Sequence, residues 1–319
     1  MAMEHSDRFR IGTCGYSYPG EAPKGWYGVF YPVTARKRVD ELEFYASYFN
    51  TVEINSTFYR PASPAMAQAW AKKTPRDFEF AVKVWQKFTH LTKLGEGAGG
   101  SGEPWGRFDS ADVERFTKGI APLAGAGKLG ALLFQYPAGF RCDEKNRDRL
   151  VETLSAFDHT RKVVELRHRS WSDQWNETQT VLARSGAAWA YIDEPKFASS
   201  VKQELEAGGD LAYIRLHGRN HQKWWNHQET WERYDYFYQA DQVRRLGNRL
   251  KQLAAKSSAT KFYIFFNNHA RGQAVANALM LKSELYPSHR GSGPRALMEA
   301  FSELRDFVGG DDSGEQNLS

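Results

Sequence analysis

The alternation of short β-rich runs with longer helix-like segments is the feature that most constrains how this 319-residue chain can fold. A parallel sheet with crossover helices produces this order of elements. The β-rich runs are Phe9–Thr13, Thr51–Asn55, Phe78–Val84, Gly130–Gln135, Lys162–Arg167, Ala188–Asp193, Leu211–His217 and Lys261–Asn267. Their number matches the eight strands of a closed (β/α)8 barrel. We therefore predict a single TIM-like α/β barrel over residues 1–308, with long loops at the C-terminal ends of its strands, and a disordered polar tail over residues 309–319.

Helix-like segments fill most of the intervals between these runs. They are Val39–Phe49, Pro64–Lys73, Ser110–Leu123, Asp143–Phe157, Ser172–Ser185, Asp235–Ala255 and Gln273–Leu285. Ser63 and Ser172 are residue types that cap helix N-termini. Between Asp193 and Gly209 the sequence indicates a loop with one helical stretch, so an open doubly wound sheet is the alternative fold. The glycine-rich run Gly95–Pro104 is typical of a mobile loop.

Composition indicates a globular body, because 41% of the residues are hydrophobic and 14% are aromatic. Lys and Arg number 43 against 38 Asp and Glu, a mild excess that favours anionic partners. Cys14 and Cys142 stand far apart and in no metal-binding spacing, as in a reducing compartment. The N-terminal residues contain no apolar leader, and no run approaches the ~18 apolar residues of a membrane span. We predict a cytoplasmic protein without membrane contact, and the sequence indicates no oligomeric state.

Strand periodicity sorts polar from apolar positions. Val52 and Ile54 alternate with Glu53 and Asn55, and the same alternation recurs in the fifth and seventh runs. A strand covered by helices presents apolar side chains to them, so the polar set should point inward, toward the C-terminal mouth where barrel enzymes hold their sites.

The inward set and its loop neighbours form the predicted site. As acid and base catalysts we predict Glu53 and Glu165, with His217 as the alternative proton carrier. The predicted substrate-binding residues are Asn55, Lys83, His90, Gln135, Arg167, His168, Trp171, Asp193, Arg215, Arg219, Asn267 and Asn268. The alternative is that the carboxylates only neutralise the cations in a structural network, since buried charges are costly unless paired.

We predict neither a metal nor a cofactor at this site. The Lys and Arg residues of the ring repel a cation and favour an anion. No phosphate-binding loop with its lysine and hydroxyl follows a strand, and no GxSxG motif is present. Cys14 ends the first run, where a lone cysteine is more often packing than a nucleophile.

Aromatic residues cluster in two segments that would overhang the mouth, residues 26–31 and residues 224–238. They could stack on sugar rings or bases, or they could form the small core that long loops need. The predicted partner is accordingly an anionic small molecule or a nucleic acid.

Several segments resemble the YecE-like proteins, a family of unknown function. The segments that carry this resemblance are GTCGYSYPG (Gly12–Gly20), WYGVFYP (Trp26–Pro32), VEINSTFYR (Val52–Arg60), FAVK (Phe80–Lys83), TH (Thr89–His90), KLGALLFQYP (Lys128–Pro137), ELRHRSW (Glu165–Trp171), YIRLHGR (Tyr213–Arg219) and FFNNHARGQAVANA (Phe265–Ala278). The resemblance implies a TIM-like barrel and, by analogy with endonucleases and sugar isomerases of similar shape, nucleic-acid or sugar-like ligands. Cys14 stands where the family commonly has Ser, and Glu21–Gly25 lengthens the first loop.

Two functions are therefore open. The first is an enzyme that acts by acid/base chemistry on a phosphorylated, sugar-like or nucleic-acid substrate, with Lys83, Arg167 and Arg215 binding its anion. The second is a nucleic-acid-binding barrel without turnover that uses the basic, aromatic-rimmed mouth. A non-catalytic scaffold is the third alternative.

Overall fold

A computed structural model describes residues 8–33, 39–90, 107–288 and 291–311. Its strands are β1 (Phe9–Thr13), β2 (Thr51–Ile54), β3 (Glu79–Lys83), β4 (Leu129–Gln135), β5 (Lys162–Glu165), β6 (Ala187–Trp189), β7 (Tyr191–Asp193), β8 (Leu211–Leu216), β9 (Lys261–Phe266), β10 (Ser292–Pro294) and β11 (Gly309–Asp311). Its helices are α1 (Glu41–Tyr48), α2 (Pro64–Lys72), α3 (Ser110–Gly125), α4 (Glu144–Ser155), α5 (Ser170–Asp173), α6 (Trp175–Arg184), α7 (Ala240–Lys256), α8 (Gln273–Leu285) and α9 (Arg295–Ala300).

The fold is α/β, with two parallel sheets that carry the long strands. One sheet has the order β2-β3-β4-β5-β6 and the other the order β1-β9-β8-β7, and β10 pairs with β11 separately. The two larger sheets approach each other at an isolated parallel bridge between Cys14 and Glu53, and again where Ala190 separates β6 from β7. The strand ladders of the described residues do not form one continuous closed sheet, so the predicted closed barrel is not confirmed.

Strand periodicity divides the core into two layers. The larger cluster packs strand residues such as Val52, Ile54 and Ile264 against residues of the helices. A smaller cluster lies on the opposite face of the strands and includes Ala131 and Leu133. The inner face is defined here as the face that carries this smaller cluster. Both faces are buried because helices cover one and the facing strands cover the other, as expected for parallel sheets.

The predicted strand positions agree with the structure to within a residue or two, but the sixth run is divided. The backbone N–H of Ala190 donates to the carbonyl of Val164 in β5, which leaves β6 paired with β5 and β7 paired with β8. After β7 the described chain contains no helix up to β8. The single helical stretch predicted between Asp193 and Gly209 is therefore wrong.

Helix boundaries follow local capping. Ser63 caps α2 as predicted, because its side chain accepts from the N–H of Met66 at 3.2 Å and Pro64 occupies the first turn. Ser172 is not a cap: it lies inside the short helix α5, and the non-helical backbone of Gln174 separates α5 from α6. Helix α7 begins at Ala240 rather than at the predicted Asp235, after a short 3-10 turn.

The first three residues of the predicted disordered tail belong to a strand. Residues 309–311 form β11, which pairs in parallel with β10. The rest of the predicted tail and the glycine-rich run Gly95–Pro104 lie outside the described residues. Among the described helices, none combines the length and the apolar character needed to cross a bilayer.

Gly119 provides a test of how α2, α3 and the loop before α2 pack. An alanine usually stabilises a helix interior by about 1 kcal/mol relative to glycine. At Gly119, however, a Cβ would lie 2.2 Å from the carbonyl oxygen of Ala62. We expect Gly119→Ala to lower the free energy of unfolding by about 1–3 kcal/mol in urea denaturation. Gly125→Ala, where a Cβ meets nothing within 4 Å, is the matched control and should not destabilise.

Candidate functional site

A cavity of about 450 Å³ opens at the C-terminal ends of the long strands. Its lining residues are Gly15, Tyr16, Ser17, Tyr18, Ile54, Asn55, Ser56, Phe58, Tyr59, Lys83, Gln135, Arg167, Arg215, Thr230, Arg233, Tyr234, Asn267 and His269. Six of the predicted site residues are among them: Asn55, Lys83, Gln135, Arg167, Arg215 and Asn267. The cavity therefore coincides with the predicted mouth.

Arg215, on the inner face of β8, is the centre of the polar network below this cavity. Its Nε and Nη2 donate to the two carboxylate oxygens of Glu53 at 2.9 and 2.7 Å. Its Nη1 donates to Glu165 and, at 2.9 Å, to Gln135. This one side chain thereby links β2, β4, β5 and β8 through charge-assisted hydrogen bonds.

Glu53 and Glu165 are fully buried beneath the arginines. Burial opposes ionisation of Glu53, but the charge of Arg215 and the hydrogen bonds of Arg215 and Tyr213 outweigh it, so its pKa lies below its usual value. Burial also opposes ionisation of Glu165, and the charges of Arg167 and Arg215 hold its pKa well below its usual range. Both groups are therefore carboxylates at neutral pH and weak bases.

Arg167 follows β5 and completes the network. Its Nε donates to Glu165 at 2.6 Å, and its Nη1 lies 3.5 Å from Glu194. Glu194 was not predicted as a site residue. Burial raises the pKa of Glu194, which makes it the acidic group of the network that most readily holds a proton.

His217 lies directly after β8 and is fully buried. Its Nδ1 lies 2.9 Å from the Nδ2 of Asn267, and its Nε2 lies 3.3 Å from the Nη2 of Arg167 and 3.6 Å from Glu165. Burial, which outweighs the nearby carboxylate, lowers the pKa of His217 to about 3. The imidazole is therefore neutral at physiological pH.

Lys83 ends β3 and lines the cavity with its side chain partly buried. Its Nζ lies 3.9 Å from the centre of the Phe58 ring. Among the described residues no carboxylate forms an ion pair with it. Burial and, after it, the charge of Arg215 lower the pKa of Lys83 to about 7. A substantial fraction of this amine is accordingly neutral at physiological pH.

His90 lies beside the cavity without lining it. Its ring meets the Phe58 ring edge-on at 4.9 Å, and its Nδ1 lies 2.9 Å from the hydroxyl of Thr89. Burial and the charges of Lys83 and Arg167 lower the pKa of His90 to about 4.

The aromatic wall of the cavity was predicted only in part: Tyr234 belongs to the predicted segment 224–238, whereas Tyr18 and His269 were missed. His269 stacks on Tyr18 with ring centroids 4.7 Å apart and contacts Tyr234 at 5.0 Å. Burial lowers the pKa of His269 to about 4. The segment Phe265–Ala278 contains His269, so its position three residues after the end of β9 was an available signal.

Asp193 and Arg219 lie outside the cavity, and the assumed parity of Asp193 is wrong. In register, Ile192 pairs with the inward residue Arg215, whereas Asp193 pairs with the outward residue Leu216. Asp193 instead binds Arg219 through both of its oxygens, at 2.8 and 2.6 Å, beside α7. The next residue, Glu194, takes the inward position.

His168, Trp171 and Asn268 have structural contacts rather than places in the cavity wall. His168 Nδ1 lies 2.9 Å from the hydroxyl of Ser170. Trp171 is fully buried and donates from its indole to the carbonyl of Phe140 at 2.8 Å. Asn268 donates to Asn277 on α8 at 2.8 Å. Asn268 points away from the cavity although its neighbours Asn267 and His269 both line it.

The described part of the chain contains no group of three or more His, Cys, Asp or Glu side chains arranged to hold a metal ion. The absence of a metal and of a cofactor stays a prediction. Cys14 lies 3.7 Å from Arg215 through its sulfur, and burial, ahead of the nearby charge of Glu53, raises the pKa of its thiol well above the usual value. This cysteine is therefore a thiol, which is a poor nucleophile.

The charges that face the cavity are cationic. Lys83, Arg167, Arg215 and Arg233 line it, whereas no carboxylate side chain is among its described lining residues. Glu53 and Glu165 stabilise the arginines from below. The arrangement can bind an anion and can exchange a proton at Lys83.

The burial of His217 makes stability depend on pH. An unfolded histidine titrates near pH 6.5, and the folded pKa of about 3 means that the stability His217 contributes above pH 6.5 is lost as the pH falls toward 3. When the pH falls from 7.5 to 5, the free energy of unfolding of the parent should therefore decrease by about 2 kcal/mol more than that of His217→Asn. Urea denaturation at both pH values measures this. The same change at exposed His221 is the control, and an equal pH response in both variants would contradict the assignment.

Arg215 and Arg219 each bind a carboxylate through two hydrogen bonds, but we expect their replacement to lower the free energy of unfolding by different amounts. Arg215→Met removes the positive charge that compensates the buried carboxylates of Glu53 and Glu165, and it should lower the free energy of unfolding by about 3–5 kcal/mol. Arg219→Met breaks a pair whose arginine side chain is 48% exposed and should cost about 1 kcal/mol or less. Thermal and urea denaturation of both variants test this. Similar losses of unfolding free energy in the two variants would show that the network does not depend on Arg215.

Comparison with known proteins identifies the family of the chain. Residues 10–299 match the family described as "Protein of unknown function DUF72". The chain is 28% identical over 281 residues to the UPF0759 protein YunF of Bacillus subtilis, covering 84% of this chain and 94% of YunF. It is 30% identical over 152 residues to the UPF0759 protein YecE of Escherichia coli K12, covering 47% of this chain and 50% of YecE.

Solved structures show that the similarity includes the fold. A DUF72 family protein from Thermotoga maritima superposes with a TM-score of 0.73 at 32% identity, covering 88% of this chain and 99% of its own. A DUF72 family protein from Enterococcus faecalis superposes with a TM-score of 0.71 at 23% identity, covering 87% and 95%. The resemblance to the YecE-like proteins is thereby confirmed: this chain belongs to the DUF72 family.

Proposed function

We propose that this protein is an enzyme that binds a small phosphorylated or otherwise anionic, sugar-like molecule in the cavity and transfers a proton to or from it. The observation that carries the proposal is the lining of the cavity, in which Lys83, Arg167, Arg215 and Arg233 meet no carboxylate among the described residues. Cationic side chains held in a partly desolvated site bind phosphate and carboxylate groups strongly. The volume of about 450 Å³ suits a small molecule.

The architecture proposed for this site is a TIM-like barrel in which β6 and β7 act as one strand. This reading is supported by the bridge between Cys14 and Glu53 and by the bond from Ala190 to Val164, which connect the two sheets at both junctions. Barrel enzymes hold their sites at the C-terminal ends of the strands, where the cavity lies. The unpaired cysteines Cys14 and Cys142 favour the cytoplasm as the location.

Within this proposal, Lys83 is the proton carrier. A general acid or base works best with a pKa near the operating pH, and the pKa of Lys83 is about 7. Glu53, Glu165 and His217 were the predicted catalysts, but each is fully buried and has a lowered pKa. We assign them to positioning the cations: Glu53 orients Arg215, Glu165 orients both arginines, and Asn267 and His217 support Glu165 from the side.

The walls of the cavity supply the remaining contacts. Asn55 lines the cavity and has a buried amide oxygen without a hydrogen-bond partner among the described residues. A ligand hydroxyl would satisfy this acceptor, because a buried polar atom without a partner is costly. Tyr234 offers aromatic surface to a sugar ring.

Single-stranded nucleic acid is the second candidate ligand. Two aromatic side chains near the cavity are exposed, Tyr59 by 72% and Trp225 by 61%. Trp225 lies next to Arg233, whose guanidinium is 5.6 Å from the indole ring, and Arg233 lines the cavity. Exposed aromatics beside cations are typical of surfaces on which bases stack.

Matched ligands test the first candidate. Ribose 5-phosphate should bind in calorimetry while ribose does not, since the anionic group is the feature the cations recognise. Arg233→Gln should weaken the binding by roughly tenfold, a typical loss for one charged hydrogen-bonding partner. Arg184→Gln, an exposed position on α6, is the control. Equal binding of ribose and its phosphate would contradict the anion site.

Salt separates the second candidate from the first. A protein that binds nucleic acid through several phosphates loses affinity steeply between 50 and 200 mM salt. If oligonucleotides bind in this way, and Tyr59→Ala and Trp225→Ala both weaken them while ribose 5-phosphate does not bind, the nucleic-acid candidate replaces the small-molecule one.

A further inference from the structure

Lys83 differs from the other buried lysines in what its ammonium group contacts. Lys128 donates to the carbonyls of Ala71 and Thr74, both at 2.7 Å, and Lys282 donates to the carbonyl of Tyr48 at 2.6 Å. Such lysines are tied to the backbone. Lys83 instead lies over the Phe58 ring, and no hydrogen bond or ion pair joins its Nζ to another described residue.

The surroundings of Lys83 favour the neutral amine. The cations facing it are Arg215 from β8 and Arg167 from the segment after β5, and both disfavour a further positive charge. Glu53 and Glu165 attract a proton to it, but the arginines already hold these carboxylates by direct bonds. His90, which follows β3, is neutral at physiological pH because its pKa is about 4.

A neutral lysine amine is a nucleophile as well as a base. Lysines in desolvated sites or beside other cations form Schiff bases with carbonyl compounds. At Lys83 both conditions hold, and the amine is on the wall of a cavity that also presents Arg167, Arg215 and Arg233. An anionic group bound by the arginines would hold an attached carbonyl beside the amine, which is the proximity that such a reaction needs.

We infer that Lys83 forms an imine with the carbonyl carbon of a small anionic aldehyde or ketone bound in this cavity. The inference rests on the proposed function and narrows its substrate class to carbonyl compounds that carry a phosphate or carboxylate. Arg167, Arg215 and Arg233 bind the anion, and Asn55 receives a ligand hydroxyl.

The step is balanced without an oxidant or reductant. The lone pair of Nζ forms a C–N bond as the C=O π bond breaks, and the amine proton passes to the carbonyl oxygen to give a carbinolamine. That oxygen takes a second proton and leaves as water, while the nitrogen lone pair forms the C=N bond of the protonated imine. The protonated imine becomes neutral when its nitrogen loses the proton, or water hydrolyses it to the amine and the carbonyl compound by the reverse route.

Reductive trapping tests the inference on the full chain. The protein is incubated with dihydroxyacetone phosphate and sodium cyanoborohydride, which reduces an imine to a stable secondary amine, and the adduct is located by peptide mass spectrometry. Lys83 should be modified at least tenfold faster than exposed Lys118, and its rate should rise with pH to a plateau above about pH 7, because that is the pKa of the amine. Dihydroxyacetone without the phosphate should react with Lys83 at least tenfold more slowly.

Variants locate the reaction. Lys83→Arg should abolish the adduct at this position, and Lys118→Arg should leave the adduct at Lys83 unchanged. If Lys83→Arg does not fold, the peptide map of the parent protein still decides, because it identifies the modified residue directly.

The outcomes separate this inference from the function on which it rests. If ribose 5-phosphate or dihydroxyacetone phosphate binds in calorimetry but trapping leaves Lys83 unmodified, the imine is overturned and the anion site stands. If neither binds and no adduct forms, both are overturned. Equal modification of Lys83 by dihydroxyacetone with and without its phosphate overturns the anionic substrate class.

Discussion

The ion pair between Arg215 and Glu53, extended to Glu165, is the interaction on which the rest of the site depends. Its groups come from three strands that are distant in sequence, β8, β2 and β5, and all are buried. A buried ion pair is tolerated only where further hydrogen bonds compensate the desolvation of its groups. Gln135 accepts from the guanidinium of Arg215, and Tyr213 donates to the carboxylate of Glu53. The network therefore fixes the relative positions of the strands at the mouth of the fold.

The same network determines which charges the cavity presents. Because the guanidinium groups bind both carboxylates from the cavity side, the acidic groups lie below them and the basic groups face the cavity. Two features of Lys83 go with this arrangement. Burial and, after it, the charge of Arg215 lower its pKa, and its amine has no carboxylate partner among the described residues. A structural role for the carboxylates and a binding role for the site are therefore compatible, because the carboxylates support the residues that line the cavity.

Much of this arrangement could be predicted from the sequence, because it depends on strand periodicity. Alternation within β2, β5 and β8 indicates which side chains share a face, and parallel strands bring their C-terminal ends together; this is how Glu53, Glu165 and Arg215 could be grouped. The prediction was wrong where periodicity ends or is interrupted. Asp193 ends the second half of the divided strand and points outward, while Glu194 points inward. Trp171 lies in the short helix α5 and Asn268 lies in a loop, so the strand period does not constrain the direction of either side chain.

The sequence by itself determined the α/β class, the positions of the long strands and the inward polar set, because each follows from local patterns of two or four residues. Only the tertiary structure decided the division of labour inside that set. Whether a glutamate is a free base or the partner of an arginine, and whether a lysine is neutral, depends on distances between strands up to 162 positions apart in the chain. Those distances decide how far burial or a neighbouring charge shifts each pKa, and no local pattern encodes them.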